Sequence, residues 1–202
     1  DAFSINNLPA NMVERAEVYK GVLPVGLGAD ALGGAVNVIT RKTANYLDVS
    51  YSFGSFNTHK ASINGAYTNG KTGLTTRLTS FLNYSDNNYK VYVPIIDLES
   101  GQKLGNQWVK RFHDGYKSLR VRLETGFVNR PFADYLLAGI IVAGNDKDIQ
   151  NGVVMELVYG ARTTDSRSVI PMLRYKKSDL FIEGWGLSFY GSYSDVDNNS
   201  TD

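Results

Sequence analysis

The chain has 202 residues, 43% hydrophobic, 12% aromatic and 20% charged, with 20 glycines and a formal net charge of +1. That composition belongs to a folded chain rather than a disordered one, and the balanced charge offers no basic surface for nucleic acid. The absence of cysteine excludes a disulfide framework and any cysteine-ligated metal site, and no run approaches the roughly 18 apolar residues of a membrane-crossing helix.

In chain order, the first patterned segment is a charged, alternating strand: Val13, Glu14, Arg15, Ala16, Glu17 and Val18, running into Lys20 and Gly21. A glycine-rich turn follows. The small-residue run Ala29, Asp30, Ala31, Leu32, Gly33, Gly34, Ala35 then leads into a second strand, Val36 to Thr40. Gly26, Gly28, Ala31 and Gly34 have the spacing of a dinucleotide fingerprint. That fingerprint needs a following helix to aim N–H groups at a pyrophosphate, and here a β-branched segment begins almost at once. The spacing is read as coincidence. On composition alone, the charges of the first strand are the solvated face of an edge strand.

Residues 13–42 taken together resemble the end of the plug domain of TonB-dependent outer-membrane receptors. In that family a charged strand, a Gly-Gly turn and an Asn-centred strand occur in this order. The departure is at Leu27-Gly28, where the family usually carries an aromatic before the glycine.

After Lys42 the pattern becomes a succession of period-two strands separated by Gly, Asn, Asp and Ser turns. Leu47, Val49, Tyr51 and Phe53 share one face of 46–53. Ala61, Ile63, Gly65 and Tyr67 share one face of 60–67. Asn69-Gly70 predicts a tight hairpin turn. In 74–84, Leu74, Leu78, Leu82 and Tyr84 oppose Arg77 and Asn83, with Phe81 on the polar side.

Residues 85–115 form the one long connection, rich in aromatic and charged side chains, and connections of this length are functional or disordered. The clearest alternation is in 117–129, where Leu119, Val121, Leu123, Thr125 and Phe127 oppose Arg120, Arg122 and Glu124. Further strands are expected over 133–144, 152–160, 168–176 and 184–194, giving about seven or eight in all.

An apolar face opposite a charged one suits either a soluble sandwich or a membrane barrel. Aromatics near strand ends (Tyr46, Phe53, Tyr67, Tyr84, Phe127, Trp185, Tyr193) and the alternation of short turns with longer connections favour the barrel.

The expected fold is therefore all-β: a fragment of a plugged transmembrane β-barrel, with residues 1–42 ending the plug and 43–202 forming an antiparallel meander of N-terminal barrel strands. Too few strands are present to close the family's barrel of about 22. There is no signal peptide, so the chain is read as a mature, truncated or excised piece.

The resemblance implies transport: a Gram-negative outer-membrane receptor taking up a scarce solute (ferric siderophore, haem or cobalamin class) with energy from the TonB complex, which contacts a segment outside this chain. Its expected partners are that complex, outer-membrane lipid and the small solute. By carry-over, Glu14, Arg15, Glu17 and Lys20 are plug-side latch charges, and Arg120, Arg122 and Glu124 are lumen-facing candidates to pair with them. Gly33 and Gly34 are turn positions. Tyr89, Tyr92, Trp108, Arg111 and His113 are the ligand candidates.

Of the two histidines, His59 reads as turn chemistry and His113, without the resemblance, as a surface loop residue. No paired carboxylates, G-x-S-x-G elbow or H-E-x-x-H occur, so neither an enzyme nor a cofactor or metal is expected. A soluble or secreted β-sandwich binding module and a passive porin are the alternatives.

Overall fold

The structure is a computed structural model that describes residues 13–21, 33–40, 44–97, 99–155 and 158–201. It is all-β and antiparallel, with no helix among the described residues. Three sheets are present among the described residues. A two-stranded hairpin pairs β1 (Val13–Lys20) with β2 (Gly34–Thr40). The main sheet is built from β3 (Tyr46–Gly54), β4 (Thr58–Thr68), β5 (Leu74–Ser85), β8 (Tyr116–Arg130), β9 (Ala133–Asp148), β10 (Thr163–Lys177), β11 (Leu187–Ser192) and β12 (Asp195–Thr201). The third is a hairpin of β6 (Lys90–Ile96) and β7 (Lys103–Lys110), inserted between β5 and β8.

The main sheet is a meander in the order β3-β4-β5-β8-β9-β10, and β10 pairs on its far side with both β11 and β12. The split in that last strand has a local cause. Pro171 accepts a hydrogen bond from the Tyr193 N–H on this side but has no N–H to return. The ladder breaks there, with β11 pairing beyond it and β12 before it.

Sequence expectation and structure differ in five places, the first being β12, which extends the sheet over Asp195–Thr201 where no strand is expected. Among the described residues of 152–160 no strand forms; a single bridge joins Asn151 to Val158, and Val153 and Val154 stand exposed. A short apolar run carries no directional signal of its own. The connection 85–115 is not a loop throughout, because β6 and β7 zip its middle into a hairpin closed by Asp97, whose carboxylate accepts the Glu99 N–H and the Ser100 hydroxyl. The turn at Asn69 is wider than two residues. The Asn69 side chain accepts the N–H groups of Lys71 and Thr72, its backbone bonds Leu74 and Gly73, and the positive φ of 67° falls at Gly73 instead of Gly70. Finally, the strand expected from 184 begins at Leu187, so the connection after Lys177 spans 178–186.

The distribution of side chains across the main sheet is inverted relative to a soluble domain. On the covered face lie Ser62 and Asn64 of β4, Thr75 of β5, Ser118 and Glu124 of β8 and Ser168 of β10, all buried. On the open face the register aligns Leu78 with Leu123 and Ile140, and Val121 with Val142 and Val169. Leu119, Leu123, Val142 and Val169 are 47, 43, 46 and 42% exposed. The covered face is apolar only toward β9, where Leu137, Ile141 and Ala143 pack beside Phe81 and Met172.

Candidate functional site

The centre of the covered face is a cluster of charges. Arg122 Nη2 lies 3.0 Å and Arg174 Nη1 3.1 Å from the same Glu124 oxygen, and Glu124 is 5% exposed. Alternation places Arg120 next to Arg122 on this face, and the register sets Arg77 opposite Glu124. Two arginines thus hold one carboxylate, with Arg77 across from it in the register and Arg120 farther along β8. Gly139 makes this possible: it lies opposite Glu124, and a Cβ there would sit 2.7 Å from Glu124 Cγ and 2.8 Å from the Leu123 carbonyl. The Arg174 guanidinium also lies over the Tyr135 ring, 5.3 Å from its centre.

The first hairpin has an ion pair of its own. Arg15 Nε pairs with Glu17 within β1 at 2.9 Å, while Glu124 is satisfied by its own sheet. Glu17 also accepts the Tyr19 hydroxyl and the Asn37 side-chain amide. The Arg15 hydrogen bond, aided by these two, holds the Glu17 carboxyl below its ordinary pKa, and the hydrogen bond to Glu17 raises that of Tyr19. Glu14 and Lys20 alternate onto the opposite, exposed face together with Val18, whose register partner Val36 is exposed as well.

Of the two turn glycines, Gly34 is constrained: its φ is 129° and a Cβ would meet the Tyr19 carbonyl at 2.3 Å, whereas at Gly33 there is open space. The glycine-rich run between them and Gly21, including Leu27-Gly28, lies outside the described residues.

One end of the main sheet carries the three-residue turn 55–57 and the long connections 86–115 and 149–162, and the other carries 69–73, 131–132 and 178–186. The two long connections are stapled together by Gln150. Its side-chain oxygen accepts the N–H groups of both Phe112 and His113, at 2.7 and 3.1 Å, and Gln150 is itself buried. Around it, Lys147 and Arg111 pair with Asp114 at 2.8 and 3.0 Å, and His113 Nε2 meets the Arg162 carbonyl oxygen at 3.0 Å. Tyr89 lies under the Arg111 guanidinium and against Phe56.

The five ligand candidates therefore separate. Tyr89, Arg111 and His113 are tied into this base, whereas Tyr92 and Trp108 meet across the β6–β7 hairpin with ring centres 5.4 Å apart and remain 57 and 66% exposed. Gln150, the residue that joins the loops, has no sequence signature; only a fold that brings 112–113 beside 150 reveals it.

Among the described residues no group of His, Asp and Glu is arranged to hold a metal ion. No protein-family model and no curated protein matches the chain.

Proposed function

We propose that this chain is the end of the plug and the first wall strands of a TonB-dependent outer-membrane receptor that takes up a scarce solute of the ferric siderophore, haem or cobalamin class. The observation that carries the reading is the inverted sheet. An apolar face left open across β3 to β10 and a covered face rich in arginine are expected where lipid lies outside and a wet lumen inside. A sandwich would close such an apolar face with a second sheet. The connections support the same orientation: the two long, stapled connections stand at one end, the external end in this fold, and the chain enters β3 at the other.

In this reading the arginine-rich wall faces the plug. Its charges offer polar contacts strong enough to seal the lumen yet free of a greasy interface, so a pull from TonB can remodel them. The Tyr92–Trp108 pair sits outside the wall, where an arriving solute is met first.

The test is fractionation of cells expressing the full-length protein, followed by gel electrophoresis of the outer-membrane fraction with and without boiling. A band that sediments with outer membrane and shifts on heating is expected. A soluble band without a shift refutes the reading. Deletion of residues 1–42 separates receptor from passive porin: unchanged uptake and pore closure would make it a porin.

A further inference from the structure

On the β6–β7 hairpin three pairs of register partners stand on one face: Lys90 with Lys110, Tyr92 with Trp108, and Pro94 with Asn106. Successive rungs of such a face lie about 7 Å apart. Val91, Val93 and Val109 turn the other way, and Val93 is buried. The Tyr92 and Trp108 rings are tilted by 45°, so neither covers the other, and both are exposed.

The rung nearest the base sets two exposed ammonium groups directly opposite each other. Like charges in that position destabilise a strand pair, and among the described residues neither lysine has an ion-pair partner. The other charges nearby are placed elsewhere. Arg111 is drawn to Asp114 in the base, and Asp97 is held in the turn at the tip, where Glu99 and Lys103 also lie. Lys110 and Arg111 border a hollow at the hairpin's base with Asp86, Asp146 and Asp148, and none of these three carboxylates is within ion-pair distance of Lys110.

The outer face is thus graded: two cations at one edge, two aromatic rings in the middle, then Pro94 and the exposed Ile96 toward the tip. A complementary ligand is flat, carries two anionic groups on one edge and is apolar beyond them. Of the solute classes proposed above, a haem-type tetrapyrrole has that plan, with both carboxylates on one edge of an aromatic macrocycle. Cobalamin presents amides around its rim, and a ferric siderophore wraps its donor groups about the metal. His59 is engaged by Tyr51 and Asn57, and His113 by the Arg162 carbonyl, so neither is offered to the iron.

We infer that this face is a capture site for a tetrapyrrole dicarboxylate, whose carboxylates meet Lys90 and Lys110 and whose ring lies against Tyr92 and Trp108. The inference rests on the receptor reading and narrows its solute. Capture by edge and face leaves the iron out of the contact.

The test titrates the full-length protein in nanodiscs with haem, with iron-free protoporphyrin and with the dimethyl ester of that porphyrin, empty nanodiscs being subtracted for partition into lipid. Haem and the free porphyrin should bind with comparable affinity. The ester should bind at least about tenfold more weakly, the worth of one charge-assisted hydrogen bond. In the double variant Lys90→Gln, Lys110→Gln the difference between acid and ester should vanish. Trp108→Ala should weaken acid and ester alike, by about fivefold, while Trp185→Ala, which removes an exposed tryptophan at the other end of the sheet, should change neither.

An inserted, heat-modifiable barrel overturns the site alone if it binds acid and ester equally, binds only the iron-loaded ring, keeps the acid–ester difference without the two lysines or is indifferent to Trp108. A protein that fails to insert and shows no heat shift overturns the receptor reading along with it.

Discussion

An arginine scan along the open face of β8 tests the membrane reading quantitatively. Lys117, Leu119, Val121, Leu123, Thr125 and Phe127 alternate onto that face, and Phe127 lies ten residues beyond Lys117. At about 3.3 Å per residue and a strand tilt near 40°, those ten steps span about 25 Å of depth, the height of the apolar band of an outer-membrane barrel. Lys117 marks the upper margin and Phe127, stacked edge-on with Phe132, the lower. Val121 and Leu123 then straddle the midplane.

Arginine should cost about 2–4 kcal/mol at either central position and about 0–1 kcal/mol at Phe127. Denaturant unfolding of the full-length protein in lipid vesicles measures each cost. The expected result is a cost that peaks at 121 and 123 and falls toward both ends. In water the same exposed positions would tolerate arginine to within about 0.5 kcal/mol, so a flat profile refutes the assigned face. A peak displaced to one end refutes the depth assignment.

Other predictions concern the covered face, a turn and the hairpin tip. Glu124→Ala leaves Arg122 and Arg174 without their shared carboxylate; both arginines are partly exposed, so the loss should be about 2 kcal/mol, between the values for exposed and buried pairs, read from the same unfolding curves. Gly73→Ala should cost at least about 2 kcal/mol, because φ is 67° and the new Cβ would lie 2.4 Å from the Val128 carbonyl oxygen; an unchanged midpoint would contradict the turn geometry.

Asp97 should titrate below its ordinary value of 3.8, chiefly because the Glu99 N–H bonds its ionised form and secondly because the Ser100 hydroxyl does. A depressed folded pKa means that the carboxylate's contribution to the tip is complete above the unfolded value and is lost as pH falls through the folded one. NMR titration of the carboxyl carbon, with a midpoint at or above 3.8, would disprove the contact.

The strands that sequence made legible were those with one face apolar and the other charged. In β8, Arg120, Arg122 and Glu124 alternate with Leu119, Val121 and Leu123 without interruption, and the structure keeps that division. Phe81 was expected on the polar side of β5 and is there, buried on the covered face opposite Arg120. The β6–β7 hairpin was legible only in retrospect. Val91, Val93 and Ile95 alternate, but Pro94 interrupts the run and in the partner strand Leu104, Trp108 and Val109 follow no period of two, so no clean apolar face marks the pair and the turn at Asp97 closes it.

Pairing between charges was not legible at all. Arg15 could as well have met a distant carboxylate as Glu17 two residues away, since period-two alternation says which face a charge occupies and nothing about what stands across from it. For the same reason Arg111 and His113 looked available on paper but are occupied by Asp114 and the Arg162 carbonyl.

The staple at Gln150 has a consequence for how this rim can vary. Everything below the bond between the Arg111 N–H and the Tyr89 carbonyl is fastened to the wall, through one side-chain oxygen that holds two amides and one carboxylate that holds two cations. The paired strands above that point hang from a fixed base. The hairpin is thus an exchangeable cassette: its length and composition can change between residues 89 and 111 without disturbing the sheet, while a single change at Gln150 would unfasten two loops together.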